Sequence, residues 1–270
     1  MNKRKSSIDA APPERWGFDD GTARGPVIGM HAENSALGTE VPKHQHAHGQ
    51  LVVALKGAVT CETDHSVWVV PPNCGVWIPG DLPHSIRATP NAVACYLFVA
   101  PGPHNMPDAC CTIALSPLVR ELVLYMADAS STYGLDSPIG RKAVVLVEEL
   151  AAMPVEGLYL PTSADPRIGR LTKHLTAHPD DRRTLESWSK ELAISERALT
   201  RLMLRETGLT FGRWRQQLHL LIAMQRLASG ATVQRVAGDL GYDSVNAFIT
   251  MFKKLVGKPP ARYFSDLPSR

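Results

Sequence analysis

The residues best equipped for chemistry lie in "HQHAHGQLVVALKG", residues 44–57, where His44, His46 and His48 alternate ahead of an apolar run that ends at a glycine. Side chains two apart share one face of an extended strand, and Gln50 falls in the same phase. Such a group could hold a metal ion, line a pocket that senses a small molecule, or form only the polar lip of a barrel. The apolar run belongs with "SVWVVPP", "CGVWIPG" and "AVACYLFVAP", short β-type stretches punctuated by Pro and Gly. That spacing predicts a small barrel or double sheet.

At 270 residues, 44% hydrophobic and 20% charged, the chain has the length of two globular domains and is not disordered throughout. It holds no run of about 18 apolar residues, and "MNKRKSSIDAAPPERWGFDD" is basic without a following apolar stretch, so neither a membrane span nor a secretory signal is expected. The expected location is the cytoplasm. Five cysteines, an odd number, are expected to be reduced thiols, and no thiol-activating pattern surrounds the adjacent Cys110 and Cys111. The net charge of +3 hides an asymmetry. Residues 1–160 carry 11 Lys and Arg against 16 Asp and Glu, while residues 161–270 carry 18 against 10. A segment at +8 points to a polyanionic partner, or else to a solvated basic face.

Residues 1–24 read as a mobile arm and 25–152 as one domain, which closes with two helices. The first carries Leu118, Leu122, Val123 and Met126 on one face, and the second spans 138–152. The stretch 153–165, rich in Pro and without periodicity, reads as a linker. From 166 to 270 the pattern is helical, with segments at 166–177, 184–193, 195–206, 210–228, 232–240 and 244–256.

Two of these segments repeat one plan. Thr184 caps a helix with Leu185, Trp188 and Leu192 inward; a turn at Ala193 and Ile194 leads to Ser195, which caps a second helix with Leu199, Leu202 and Met203 inward. Thr232 then caps a helix with Val233, Val236, Ala237 and Leu240 inward. After "GYDS", Ser244 caps another that buries Phe248, Met251 or Phe252, and Leu255. This is helix-turn-helix twice, at 184–206 and 232–256. Left outside are Glu196, Arg197, Thr200, Arg201 and Arg205 on the first recognition helix, and Val245, Asn246, Ile249, Thr250 and Lys253 on the second. With the caps Ser195 and Ser244, these are the candidate DNA-binding residues, offering cations for phosphate or guanine, an amide for adenine and apolar groups for thymine methyls. The helix between the units spans about 28 Å, near the roughly 34 Å that separates successive major grooves on one side of a duplex.

Residues 194–263 closely resemble the DNA-binding domain of AraC-type transcription regulators. The likeness rests on "RETG", "VAGDLGYDS" and the close "F-x3-FKK-x2-G-x-PP-x2-Y" at their mutual spacing. In that family the places of Arg197, Thr200, Arg201, Val245, Asn246, Ile249 and Thr250 face the groove. One departure is Ser189 where the family usually has alanine, a hydroxyl that must find a partner or face water.

The spacing H-x-H-x3-Q-x6-G followed by "PGDLPH" resembles the two motifs of the cupin barrel. Carried over, His44, His46 and His84 take the three histidine places, Gln50 takes the glutamate place, and Asp81 replaces the glycine of the second motif. With these two resemblances the expected fold is α+β: a cupin-like β-barrel with two appended helices, then an all-α domain with two helix-turn-helix units. As metal ligands His44, His46, Gln50 and His84 would suit zinc, nickel, manganese or iron. As an effector pocket they would be hydrogen-bonding groups, with Trp77 beside them; Trp68, Trp77, Tyr96 and Phe98 otherwise read as core, and His48 as a rim residue.

The leading expectation is a DNA-binding transcription regulator, activator or repressor, that responds to a small-molecule effector in the barrel and has no catalytic residues. The likeness also implies a homodimer joined through the helices at 116–129 and 138–152, with double-stranded DNA and RNA polymerase as partners. The alternatives are a metal-responsive regulator and a cupin metalloenzyme with a nucleic-acid-binding domain; the neutral Gln50 argues against the enzyme.

Overall fold

The computed structural model describes residues 25–33, 40–70 and 74–265, so the arm expected at 1–24 lies outside the described residues. Alternation within the apolar runs sets the architecture of the first domain. Its strands form one sheet in the order β1 (Val27–Glu33), β8 (Val93–Val99), β3 (Gly49–Lys56), β6 (Cys74–Ile78), β9 (Cys111–Ala114) and β10 (Val155–Glu156). A second sheet runs β11 (Tyr159–Pro161), β5 (Ser66–Val69), β4 (Val59–Glu62), β7 (His84–Ala88) and β2 (Glu40–His44), and every pairing described is antiparallel. The expected barrel is thus two facing sheets, with Val52, Val76, Ile78, Ile86, Tyr96 and Phe98 buried between them.

The six-stranded sheet is buried on both faces. Leu51, Val53, Trp77, Cys95 and Leu97 point away from the sandwich interior and meet α1 (Pro117–Asp128) and α2 (Pro138–Ala152) through Val119, Val123, Ala143 and Leu146. Both helices open on serine caps, Ser116 and Ser137, followed by proline. They therefore pack on their own domain.

The second domain comprises α3 (Pro166–Ala177), α4 (Leu185–Glu191), α5 (Glu196–Thr207), α6 (Phe211–Ala228), α7 (Val233–Asp239), α8 (Val245–Val256) and a short α9 (Pro260–Ser265) that the sequence pattern does not announce. The hydroxyls of Thr184, Ser195, Thr232 and Ser244 each accept from a backbone N–H three residues on, the capping the sequence predicts. Each such cap is worth about 1 kcal/mol. Both Met251 and Phe252 are buried. Ser189 is buried, and its hydroxyl donates to the Glu186 carbonyl at 2.8 Å, so the departure from alanine is satisfied within the helix.

The segment 153–165 departs from the expectation of a linker. Val155 and Glu156 pair with β9 at one sheet edge, while Tyr159, Leu160 and Pro161 pair with β5 at the edge of the other. Leu160 is buried with Ala58 and Val69 of the sandwich and with the helical core, so the two domains share one apolar interface. Hydrogen bonds join this segment to the helical domain: Trp214 Nε1 donates to the Pro161 carbonyl at 2.9 Å, Gln217 Nε2 donates to the Gly157 carbonyl at 2.9 Å, and Ser163 Oγ donates to Glu206 at 2.7 Å. Strands of two and three residues are too short to register as periodicity, and Pro161 is tolerated because it sits at a sheet edge.

The two helix-turn-helix units use the same turn. Leu192 N–H and Ile194 N–H donate to Trp188 and Ser189, and Leu240 N–H and Tyr242 N–H donate to Val236 and Ala237. Matched positions hold positive φ, 53° at Ala193 and 73° at Gly241. Glycine adopts this conformation freely and alanine does not. Ala193→Gly is expected to stabilise the protein by about 1 kcal/mol, seen as a raised urea midpoint at unchanged slope. An unchanged or lowered midpoint would show that Ala193 carries no backbone strain.

Candidate functional site

Two places gather functional side chains, the histidine cluster between the sheets and the exposed faces of α5 and α8. The histidines do not sit on one strand as the sequence pattern suggests. His44 ends β2 in one sheet, Gln50 belongs to β3 in the other, and His46 lies on the connection that crosses between them. His84 opens β7 and pairs directly with His44. The crossing achieves the convergence: the ring centroids of His44 and His84 lie 4.3 Å apart, those of His46 and His84 5.3 Å, and one ring nitrogen of each histidine lies within 4.8 Å of the other two.

Backbone carbonyls orient all three rings. Nδ1 of His44, His46 and His84 lies 2.8, 2.7 and 2.8 Å from the carbonyls of Pro42, His48 and Leu82. A carbonyl only accepts, so each Nδ1 carries a proton and donates it. Burial lowers the pKa of His84 to about 4 and also lowers that of His44, so at neutral pH both rings are uncharged and present an Nε2 lone pair. Gln50, fully buried, places one amide atom 3.0 Å from His46 Nε2 and 3.1 Å from His84 Nε2. The lone pair of His84 cannot face a carbonyl oxygen at that distance, so the atom between the rings is taken as the amide nitrogen, which donates to His84. The other amide atom is buried and without a hydrogen-bond partner among the described residues.

The donor set also fits a divalent transition metal. Imidazoles held through Nδ1 by backbone carbonyls present Nε2 in the orientation of ligating histidines. A cation would replace the amide protons as the positive charge among the lone pairs, with the Gln50 oxygen turned toward it. His48 stays outside the cluster of three and contributes its carbonyl; Phe98 meets the His46 ring edge-on at 5.5 Å. Asp81 holds φ of 60°, the glycine-like conformation of the residue it replaces, and its N–H donates to the His46 carbonyl at 2.8 Å.

Trp77 is not part of this cluster. It alternates with Val76 and Ile78, so while they face the histidines it lies on the opposite face of β6 among the helices, its Nε1 donating to Pro107 at 2.8 Å. Both faces of the strand are apolar, so hydrophobicity alone could not tell them apart.

On α5, Ser195, Glu196, Arg197, Arg201 and Arg205 are exposed and Thr200 is half-buried, with its hydroxyl donating to the Glu196 carbonyl at 2.9 Å. Arg205 is held by Glu206 at 2.8 Å, which leaves Arg197 and Arg201 as the cations near the N-terminal end. On α8, Ser244, Asn246, Thr250 and Lys253 are exposed, while Val245 and Ile249 pack partly against the core. Arg182 joins the units, donating to Asp243 at 2.6 Å and to the Gly241 carbonyl. Sequence reading missed this tie, since a lone arginine ahead of a helix carries no pattern.

Residues 30–120 match the AraC-like ligand binding domain, and residues 188–266 match a helix-turn-helix domain. The HTH-type transcriptional regulator NimR of Escherichia coli K12 is 46% identical over 88% of this chain and 86% of its own. The activator RhaS of Escherichia fergusonii is 27% identical over 53% of this chain and 51% of its own. Among solved structures, ToxT of Vibrio cholerae aligns over 90% of this chain and 98% of its own at 10% identity and a TM-score of 0.40. The described helices include none long and apolar enough to cross a membrane. A ligand-binding β domain joined to two helix-turn-helix units, with this likeness across most of its length, places the chain in the AraC family of DNA-binding transcription regulators.

Proposed function

We propose that this regulator works in the cytoplasm without catalysis, reads double-stranded DNA with α5 and α8, and takes its effector at His44, His46, His84 and Gln50. The observation that carries the effector reading is the buried Gln50 amide shared between the His46 and His84 rings, with its second polar atom unsatisfied. A buried polar group left unsatisfied costs about 1–3 kcal/mol, which a small molecule bearing a complementary hydrogen-bonding group would recover on binding. An effector shifts the output only by binding one arrangement of the domains better than the other.

A second reading, metal as effector, is favoured by the three carbonyl-held imidazoles. Gln50 decides between them. A neutral amide is a poorer ligand than a carboxylate, so Gln50→Glu is expected to tighten Ni²⁺ binding by about tenfold or more in calorimetry, from a weak wild-type value. Stoichiometric tight binding by the wild type, with operator affinity that follows the metal, would establish the metal reading instead.

For DNA, Arg201 and Lys253 are assigned different roles. Arg201 stands in the first half of α5 with no salt-bridge partner among the described residues, whereas Lys253 lies in the last turn of α8. Arg201→Ala is expected to cost roughly 1–3 kcal/mol at the operator and to relax base preference locally. Lys253→Ala should weaken all sequences alike and reduce the salt slope by about one. Footprints and salt slopes unchanged in both variants would overturn the assignment.

The exposed apolar residues Leu118, Tyr125, Val144 and Val145 on α1 and α2 support a homodimer through these helices. Val144→Glu together with Leu118→Glu should halve the mass measured by light scattering; a wild type that is already monomeric would refute the dimer.

A further inference from the structure

A cleft of about 870 Å³ opens where the edges of the two sheets meet residues 155–159. It contains none of the clustered histidines. Its floor is aromatic: Trp68 and Tyr159, paired across β5 and β11, stack with ring centroids 5.7 Å apart at 23°. Trp68 is only 5% exposed, and its buried indole N–H meets no acceptor among the described residues. Asp81, Asp108 and Glu156 line the cleft, and no Lys or Arg does; none of the three carboxylates has a salt-bridge partner among the described residues.

These features specify a ligand. The exposed Tyr159 ring, backed by Trp68, offers a face to a planar group, and the negative face of the ring attracts a cation. Three carboxylates without counter-ions favour the same charge. The unsatisfied indole N–H calls for an acceptor, since a buried donor left unpaired costs free energy that a carbonyl would return. We propose that this cleft is a second small-molecule site, one that takes a planar organic cation carrying a hydrogen-bond acceptor.

The position of the cleft gives the site a consequence, which rests on the reading of the chain as a ligand-responsive regulator. Glu156, Gly157 and Tyr159 form one wall, and the same segment accepts hydrogen bonds from α6 at Gly157 and Pro161. A ligand here touches the sandwich and the segment that holds the DNA-binding domain at once. Its occupancy therefore bears directly on how the two domains are held together.

The test is calorimetric titration of the full chain with 1-methylnicotinamide, which combines a planar ring, a fixed positive charge and a carbonyl. Uncharged nicotinamide should bind about tenfold more weakly or worse, as should N-methylpyridinium, which lacks the acceptor. Asp81→Asn with Asp108→Asn and Glu156→Gln should lose about tenfold or more for 1-methylnicotinamide, with circular dichroism confirming an unchanged fold. Asparagine tolerates the positive φ at position 81. Trp68→Phe should keep the preference for charge and lose the preference for the carbonyl. No heat with 1-methylnicotinamide, equal affinity for nicotinamide, or full affinity in the triple variant would each overturn the proposal. No operator DNA is needed, so a failure of the DNA-reading assignment would be read separately.

Discussion

The arrangement of the two domains depends on the short strand β11, through the apolar contact of Leu160 and the hydrogen bond at Pro161. Pro161 ends a three-residue strand at the edge of the five-stranded sheet, and its carbonyl accepts from the buried Trp214 indole in the middle helix of the DNA-binding domain. Net, such a bond contributes about 1 kcal/mol, but breaking it strands two buried polar groups at a larger cost. Leu160 beside it sits in the apolar interface. The chain therefore passes between domains through β structure, and a displacement of either sheet edge must be accommodated by the helix between the two helix-turn-helix units.

The histidine cluster shows how one neutral side chain sets the character of a site. Three imidazoles oriented by carbonyls would form a metal centre if joined by a carboxylate. Gln50 supplies a proton to His84 where a glutamate would supply charge, and its amide bridges the rings of His46 and His84. Burial keeps His84 uncharged at neutral pH and stabilises that arrangement. The same geometry leaves a buried polar atom of Gln50 unsatisfied, which is why the site reads as a receptor for a small polar molecule.

Much of this was legible before any coordinates. The recognition helices are announced by Ser and Thr caps and by apolar spacing of three and four, and the structure places their boundaries within a residue or two. The four residues of the histidine cluster were legible through the resemblance to the cupin motifs, although their geometry was not: a continuous strand was expected where the chain crosses between sheets. Trp77 fell on the wrong face because a sheet covered on both sides has no polar phase to read. The segment at 153–165 was the largest miss. Its prolines signal a break, and the strand pairing that overrides them is a tertiary effect supplied by sheet edges distant in sequence.

Residues 155–161 are held as ordered β structure on the sandwich, and through Leu160 and Pro161 they are joined to the helical domain. Amide hydrogen exchange measures this directly. Protection at Leu160, whose backbone pairs with Val67, should match that of β5 within the same cooperative unit, and Trp214→Phe should lower it together with protection in α6. Exchange at Leu160 as fast as in an unstructured peptide, with the sheets and helices protected independently, would contradict the account.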